Sequence, residues 1–148
     1  MASTYVNNLR LDEMATGDGS GTWGTTTNTN LTLIGEAFGY ATAAIADAST
    51  DTLTIPDGTE TDSEPRAMYL KLTGGGQACT VTLAPNTVSK TWIIDNGTSY
   101  TLTFSQGSGA NVAISAGQVK VITTDGAGSG AVVYDVLTDL ELAGTTTA

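Results

Sequence analysis

The chain has 148 residues, with Lys+Arg 5 against Asp+Glu 15, a formal net charge of −10 at pH 7, and His 0. So acidic a surface repels phosphate and anionic lipid headgroups, which argues against a nucleic-acid or membrane partner. The lack of imidazole removes Ser-His, Cys-His and His-Asp catalysis and every histidine metal site. Charged residues make up only 14% and Gly 18 accompanies an abundance of Thr, a composition suited to one mainly β domain with tight turns.

The opening residues Met1 to Val6 hold neither a basic region nor an apolar core, so no signal peptide is expected. No apolar run approaches the roughly 18 residues of a membrane-spanning helix. Gly17-Asp18-Gly19-Ser20-Gly21-Thr22-Trp23-Gly24 reads as a loop, and Trp23 within it has no periodic partner. It acts either as a local staple or as an anchor for a partner protein. Leu31, Ile34, Phe38, Ala41 and Ile45 then recur at spacings of three and four, which predicts a helix from about Thr29 to Ala46. Gly35 and Gly39 weaken it by about 1 kcal/mol each relative to Ala. Their spacing of four suggests close packing against a neighbour. The apolar stripe is too large to stay wet, so it is expected to pack between subunits or against a receiving shell.

From Asp51 the period becomes two. Leu53 and Ile55 lead to a turn at Pro56-Asp57-Gly58 and an acidic loop through Asp57, Glu60, Asp62 and Glu64. Those carboxylates lack the ligand order of a calcium loop and any rigid frame for acid–base work, so a solvated loop is expected there, with no metal, cofactor or catalytic residue. Met68, Leu70 and Leu72 face one way, Tyr69 and Lys71 the other. Gly74-Gly75-Gly76 and the alternation of Cys79, Val81 and Leu83 predict a hairpin, and Cys79 is expected to be a buried small hydrophobe. Asn96-Gly97 between Trp92-Ile93-Ile94 and Tyr100 to Phe104 is a strong two-residue hairpin signal. Asn111 to Ile114 and Val119 to Thr123, joined through Ala116-Gly117, predict another tight pair, followed by a strand over Val132 to Leu137.

These signals predict an antiparallel β-sandwich or open barrel of about eight strands, with one N-terminal helix and an extended N-terminal arm. Three parts are expected: an arm and helix over 1–50, a β-module over 51–138 and a terminal tail over 139–148.

The stretch Ser20-Gly21-Thr22-Trp23-Gly24 through Asn28-Thr29-Asn30-Leu31 and Ile34-Gly35-Glu36-Ala37-Phe38 resembles an opening segment of tail-fibre and appendage proteins of tailed bacteriophages, notably marine ones. Leu70 to Gly74, Val81 to Pro85, Trp92 to Thr98, Ile114 to Gln118 and Thr123 to Val136 resemble the β-module that follows it, so the resemblance covers nearly the whole chain. Such proteins usually continue into shafts or repeated modules, whereas this chain carries one copy, which implies docking as a separate subunit. The resemblance thus implies a non-enzymatic structural subunit on the virion exterior, either capsid decoration (cement) or tail-fibre-type appendage. It would be a homotrimer whose partners are the major capsid protein or tail proteins, with Trp23, Leu31, Ile34 and Phe38 docking it. The competing expectation is a host-glycan-binding adhesin module, for which Tyr5, Tyr40, Tyr69, Tyr100, Tyr134 and the two Trp supply the candidate stacking rings.

Overall fold

The structure, a computed structural model, describes residues 2–58 and 63–138. Glu60 and Asp62 of the acidic loop and the tail 139–148 lie outside the described residues. Among the described residues one helix, α1 (Trp23–Ala37), precedes nine strands: β1 (Tyr40–Ile45), β2 (Thr50–Thr54), β3 (Tyr69–Gly74), β4 (Cys79–Ala84), β5 (Thr91–Asn96), β6 (Leu102–Ser105), β7 (Val112–Ile114), β8 (Val119–Thr124) and β9 (Val133–Asp135).

The helix lies further toward the N-terminus than the Thr29 to Ala46 expectation. It starts at Trp23, where the backbone N–H groups of Thr22 and Trp23 donate to the Gly19 carbonyl. It includes the polar Thr25 to Asn30 run because that run has tertiary partners: the Asn30 amide both donates to the Asp12 carbonyl and accepts from the Asp12 N–H, each at 3.0 Å. It stops at Ala37, where the N–H groups of Phe38 and Gly39 turn back onto Gly35 and Glu36. Ala41 and Ile45 fit a helical face, but Ala41, Ala43 and Ile45 also fit a strand, and here they point inward from β1. Gly35 faces open space, so the glycine pair seats no close neighbour within the described part of the chain.

The fold is mainly β, with two mixed sheets that do not close, and not the purely antiparallel arrangement expected. One sheet has the order β1-β3-β5-β8-β9 and the other β2-β4-β6-β7. Four pairings are parallel (β1 with β3, β3 with β5, β2 with β4, β4 with β6) and three antiparallel. The first six strands therefore alternate between sheets, winding through successive turns of a coil. Tyr40 lies beside Tyr69 and Tyr69 beside Ile93, while Thr50 lies beside Thr80 and Thr80 beside Thr103. Strands β7 to β9 then close the stack in antiparallel fashion.

This topology removes all three expected hairpins. β3 and β4, β5 and β6, and β7 and β8 each lie in different sheets. A period of two reveals which side chains share a face but not which strand lies alongside. Asn96-Gly97 is a corner between sheets. Asn96 is fully buried, its amide donates to the carbonyls of Tyr100 (2.8 Å) and Ile114 (2.9 Å), and its carbonyl accepts from Thr98. Gly97 does not adopt positive φ, so the left-handed turn inferred from Asn-Gly is absent.

The inward residues of both sheets meet in one cluster that includes Leu70, Leu72, Val81, Leu83, Trp92, Ile94, Phe104 and Ile122. Cys79 is buried among them, as its alternation with Thr implies, and burial pushes its thiol up. The N-terminal segment ties to the β-module. Thr4 bridges Glu13, Arg10 pairs with Asp57 at 2.7 Å, and Asn8 accepts the Ser89 N–H at 2.9 Å.

Candidate docking surface and the groove beside it

Helix α1 has one face against the body, carried by Leu33 (fully buried) and Ala37. Its base is the 3-10 turn Glu64–Arg66, which the core side fixes in place. The Trp92 indole donates to the Pro65 carbonyl at 2.8 Å, and Lys90 Nζ donates to the Ala67 carbonyl at 3.3 Å while lying 4.6 Å over the Trp92 ring. Arg66, with no exposed surface, donates from Nε to the Leu9 carbonyl (3.0 Å) and from Nη2 to the Pro56 carbonyl (2.6 Å), and its Nη1 lies 3.7 Å from Glu36 of the helix. Burial lowers the Arg66 pKa, and Glu36 opposes that shift. Lys90 is pulled down to about 8, chiefly by burial and secondarily by Arg66. Sequence reasoning missed both cations. Arg66 follows Pro65 next to an acidic loop, a setting that reads as solvated surface.

The other face of α1 is open. Trp23 is 65%, Leu31 60% and Phe38 72% exposed, while Ile34 is half-buried. Leu31, Ile34 and Phe38 stand at i, i+3 and i+7, so they form one stripe. Trp23 begins the helix instead of sitting in a free glycine loop, and its side chain remains outside the core. The single charged residue of α1, Glu36, faces Arg66. A surface helix normally sets charges opposite its buried face. This one does not.

Beside the end of the helix, the outward rows of the five-stranded sheet form an open groove of about 570 Å³ bordered by Phe38, Tyr40, Met68, Tyr69, Lys71 and Asp95. Parallel register sets Tyr40 next to Tyr69, and the two rings stack with centroids 5.5 Å apart. The Tyr69 hydroxyl donates to Asp95 at 3.1 Å; burial first, then this bond and the carboxylate's charge, raise its pKa, which keeps the proton on the phenol. Sequence reasoning had both rings among its stacking candidates. Their pairing stayed hidden because it depends on the parallel register.

The acidic loop forms no joint site among the described residues. Asp57 is held by Arg10, Glu64 opens the 3-10 turn, and no group of three or more metal-ligating side chains occurs there. No helix among the described residues is long and apolar enough to cross a membrane. Comparison of the chain with protein-family models, with curated proteins and with solved structures finds no match.

Proposed function

We propose that the chain is a non-enzymatic structural subunit on the exterior of a bacteriophage particle, a capsid-decoration (cement) or tail-fibre-type appendage protein. In this reading its two sheets form an open sandwich, copies associate as a homotrimer, and α1 carries the contact with other copies and with capsid or tail proteins. The observation behind it is the uncharged open face of α1, with Leu31 and Phe38 exposed in a chain of net charge −10. Like-charged copies repel each other over most of their surface, and a neutral apolar stripe is where they meet at least cost. Three helices brought together along an i, i+3, i+7 stripe bury the residues that one copy leaves wet.

Immunogold labelling of purified particles tests the location, and sedimentation tests the association. Wild-type protein is expected on the particle surface and as a trimer. Leu31→Asp combined with Phe38→Asp is expected to yield a folded monomer that no longer incorporates. Particles without label, or a double variant that still assembles and incorporates, would overturn the reading.

A further inference from the structure

We propose that the open edge of β1 is a second contact surface, where two copies of the chain pair antiparallel about a two-fold axis at Thr42, separately from α1. β1 ends its sheet and pairs only with β3. The Gly39 carbonyl accepts the Tyr69 N–H and the Ala43 carbonyl accepts the Thr73 hydroxyl, so residues 39, 41, 43 and 45 turn their backbone groups toward β3. Backbone groups alternate sides along a strand, which leaves the N–H and C=O of Tyr40, Thr42 and Ala44 along the open edge. Among the described residues they take no hydrogen bond there.

Each of the other sheet edges is guarded. On β2 the Asp51 carboxylate accepts the Thr52 N–H at 2.8 Å, on β7 Lys120 donates to the Ala113 carbonyl at 3.1 Å, and on β9 the Val133 N–H donates to the Ala110 carbonyl at 2.9 Å. Edge charges and short edge strands are the usual means by which sheets avoid pairing with another chain. β1 has six residues, and no side chain from Phe38 to Ala46 is charged. In a chain of net charge −10, that neutral run is where a second copy approaches with least repulsion.

The edge is also complementary to itself. With Thr42 opposite Thr42 of the second copy, Tyr40 falls opposite Ala44 and Ala44 opposite Tyr40, and each pair exchanges both its N–H and its C=O. A register shifted by two residues would need the Ala46 N–H, which Asp51 already holds at 2.9 Å. The side chains match: large Tyr40 lies beside small Ala44, and Thr42 beside Thr42. On the inner side Ala41 meets Ala43, and these two residues, only partly buried at the end of the core, become covered. So short a contact buries well under about 1,000 Å², so it is weak. Copies in dilute solution stay unpaired through β1, and copies held side by side at high local concentration pair.

Cysteine cross-linking of the full chain at millimolar concentration, under a mild thiol oxidant, tests the register. Cys79 is buried and stays out of the reaction. In the paired edge the two Thr42 Cα atoms lie about 5.5 Å apart, within disulfide range, whereas Ala44 lies about 14 Å from its own counterpart. Thr42→Cys, and the double variant Tyr40→Cys with Ala44→Cys, are expected to cross-link roughly tenfold faster than Tyr40→Cys or Ala44→Cys alone. Adding Thr42→Pro to the double variant should remove that advantage without lowering the melting temperature, because the Thr42 N–H has no partner within one copy. Leu31→Asp, which disturbs the α1 contact, should leave the Thr42→Cys rate unchanged. Equal rates at positions 40, 42 and 44, or a rate indifferent to Thr42→Pro, would overturn the pairing. Loss of the Thr42→Cys cross-link in Leu31→Asp would overturn it too, by tracing the encounter to α1.

Discussion

Asn96 uses both ends of its amide at a corner where no water reaches it. Asn96→Asp keeps the shape but loses the donors to Tyr100 and Ile114 and sets a carboxylate against two carbonyls. A loss of about 3 kcal/mol or more is expected in chemical denaturation, partly recovered at acid pH where the carboxyl is protonated. Next to it, a Cβ on Gly97 would lie 2.9 Å from the Leu72 carbonyl oxygen. Gly97→Val and Gly97→Asn should therefore both lower the melting temperature. A left-handed turn would have spared the Asn variant, so the pair of measurements separates steric closeness from backbone conformation. Lys90 gives a pH signature. Its folded pKa of about 8 lies below the ordinary 10.5, so the folded state gives up the proton first. Charged Lys90 opposes folding in full below about pH 8, and that opposition fades as pH rises toward 10.5. Wild type should gain roughly 2–3 kcal/mol relative to Lys90→Met across that window. Parallel stability curves would show that the ammonium is adequately solvated.

At the scale of elements, the attachment of α1 to the β-module runs through Arg66. Arg66→Met leaves the carbonyls of Leu9 and Pro56 and the Glu36 carboxylate without their cation, a loss of roughly 3–5 kcal/mol for a buried charge. Amide exchange over Leu33 to Ala37 should then speed up far more than exchange over Leu70 to Leu72; uniform acceleration would mean that helix and sheets unfold as one unit. The same elements show how far the sequence could be read. Alternation in Cys79, Val81 and Leu83 or in Leu70 and Leu72 is a local property, and the structure buries those residues as their order implies. Pairing partners are a non-local property, and neither Gly74-Gly75-Gly76 nor Asn96-Gly97 distinguishes a hairpin from a corner between sheets. The helix was misplaced because Asn30 draws its support from Asp12, outside any periodic window. Trp23, Leu31 and Phe38 were legible as apolar positions without a core partner. Tyr40 and Tyr69 acquire a joint meaning only once β1 lies parallel to β3.

For the whole molecule, charge sets the conditions under which the proposed assembly would form. Copies carrying a net charge of −10 each repel at long range, while an apolar helix stripe attracts only at contact. Association measured by sedimentation should strengthen as salt screens the repulsion. An interface built from ion pairs would weaken instead, and that trend would exclude α1 as its centre.

The coil of the first six strands also bears on how such a chain can change its length over generations. Each turn adds one strand to each sheet, and the middle turn, β3 with β4, pairs with a turn on either side. An inserted turn between β4 and β5 would inherit the register of its neighbours and carry its own outward row, leaving the antiparallel closure by β7 to β9 as it stands. A duplication within the gene could thereby lengthen the β-module in steps of a single strand spacing, each step adding a new row of side chains on which selection can act.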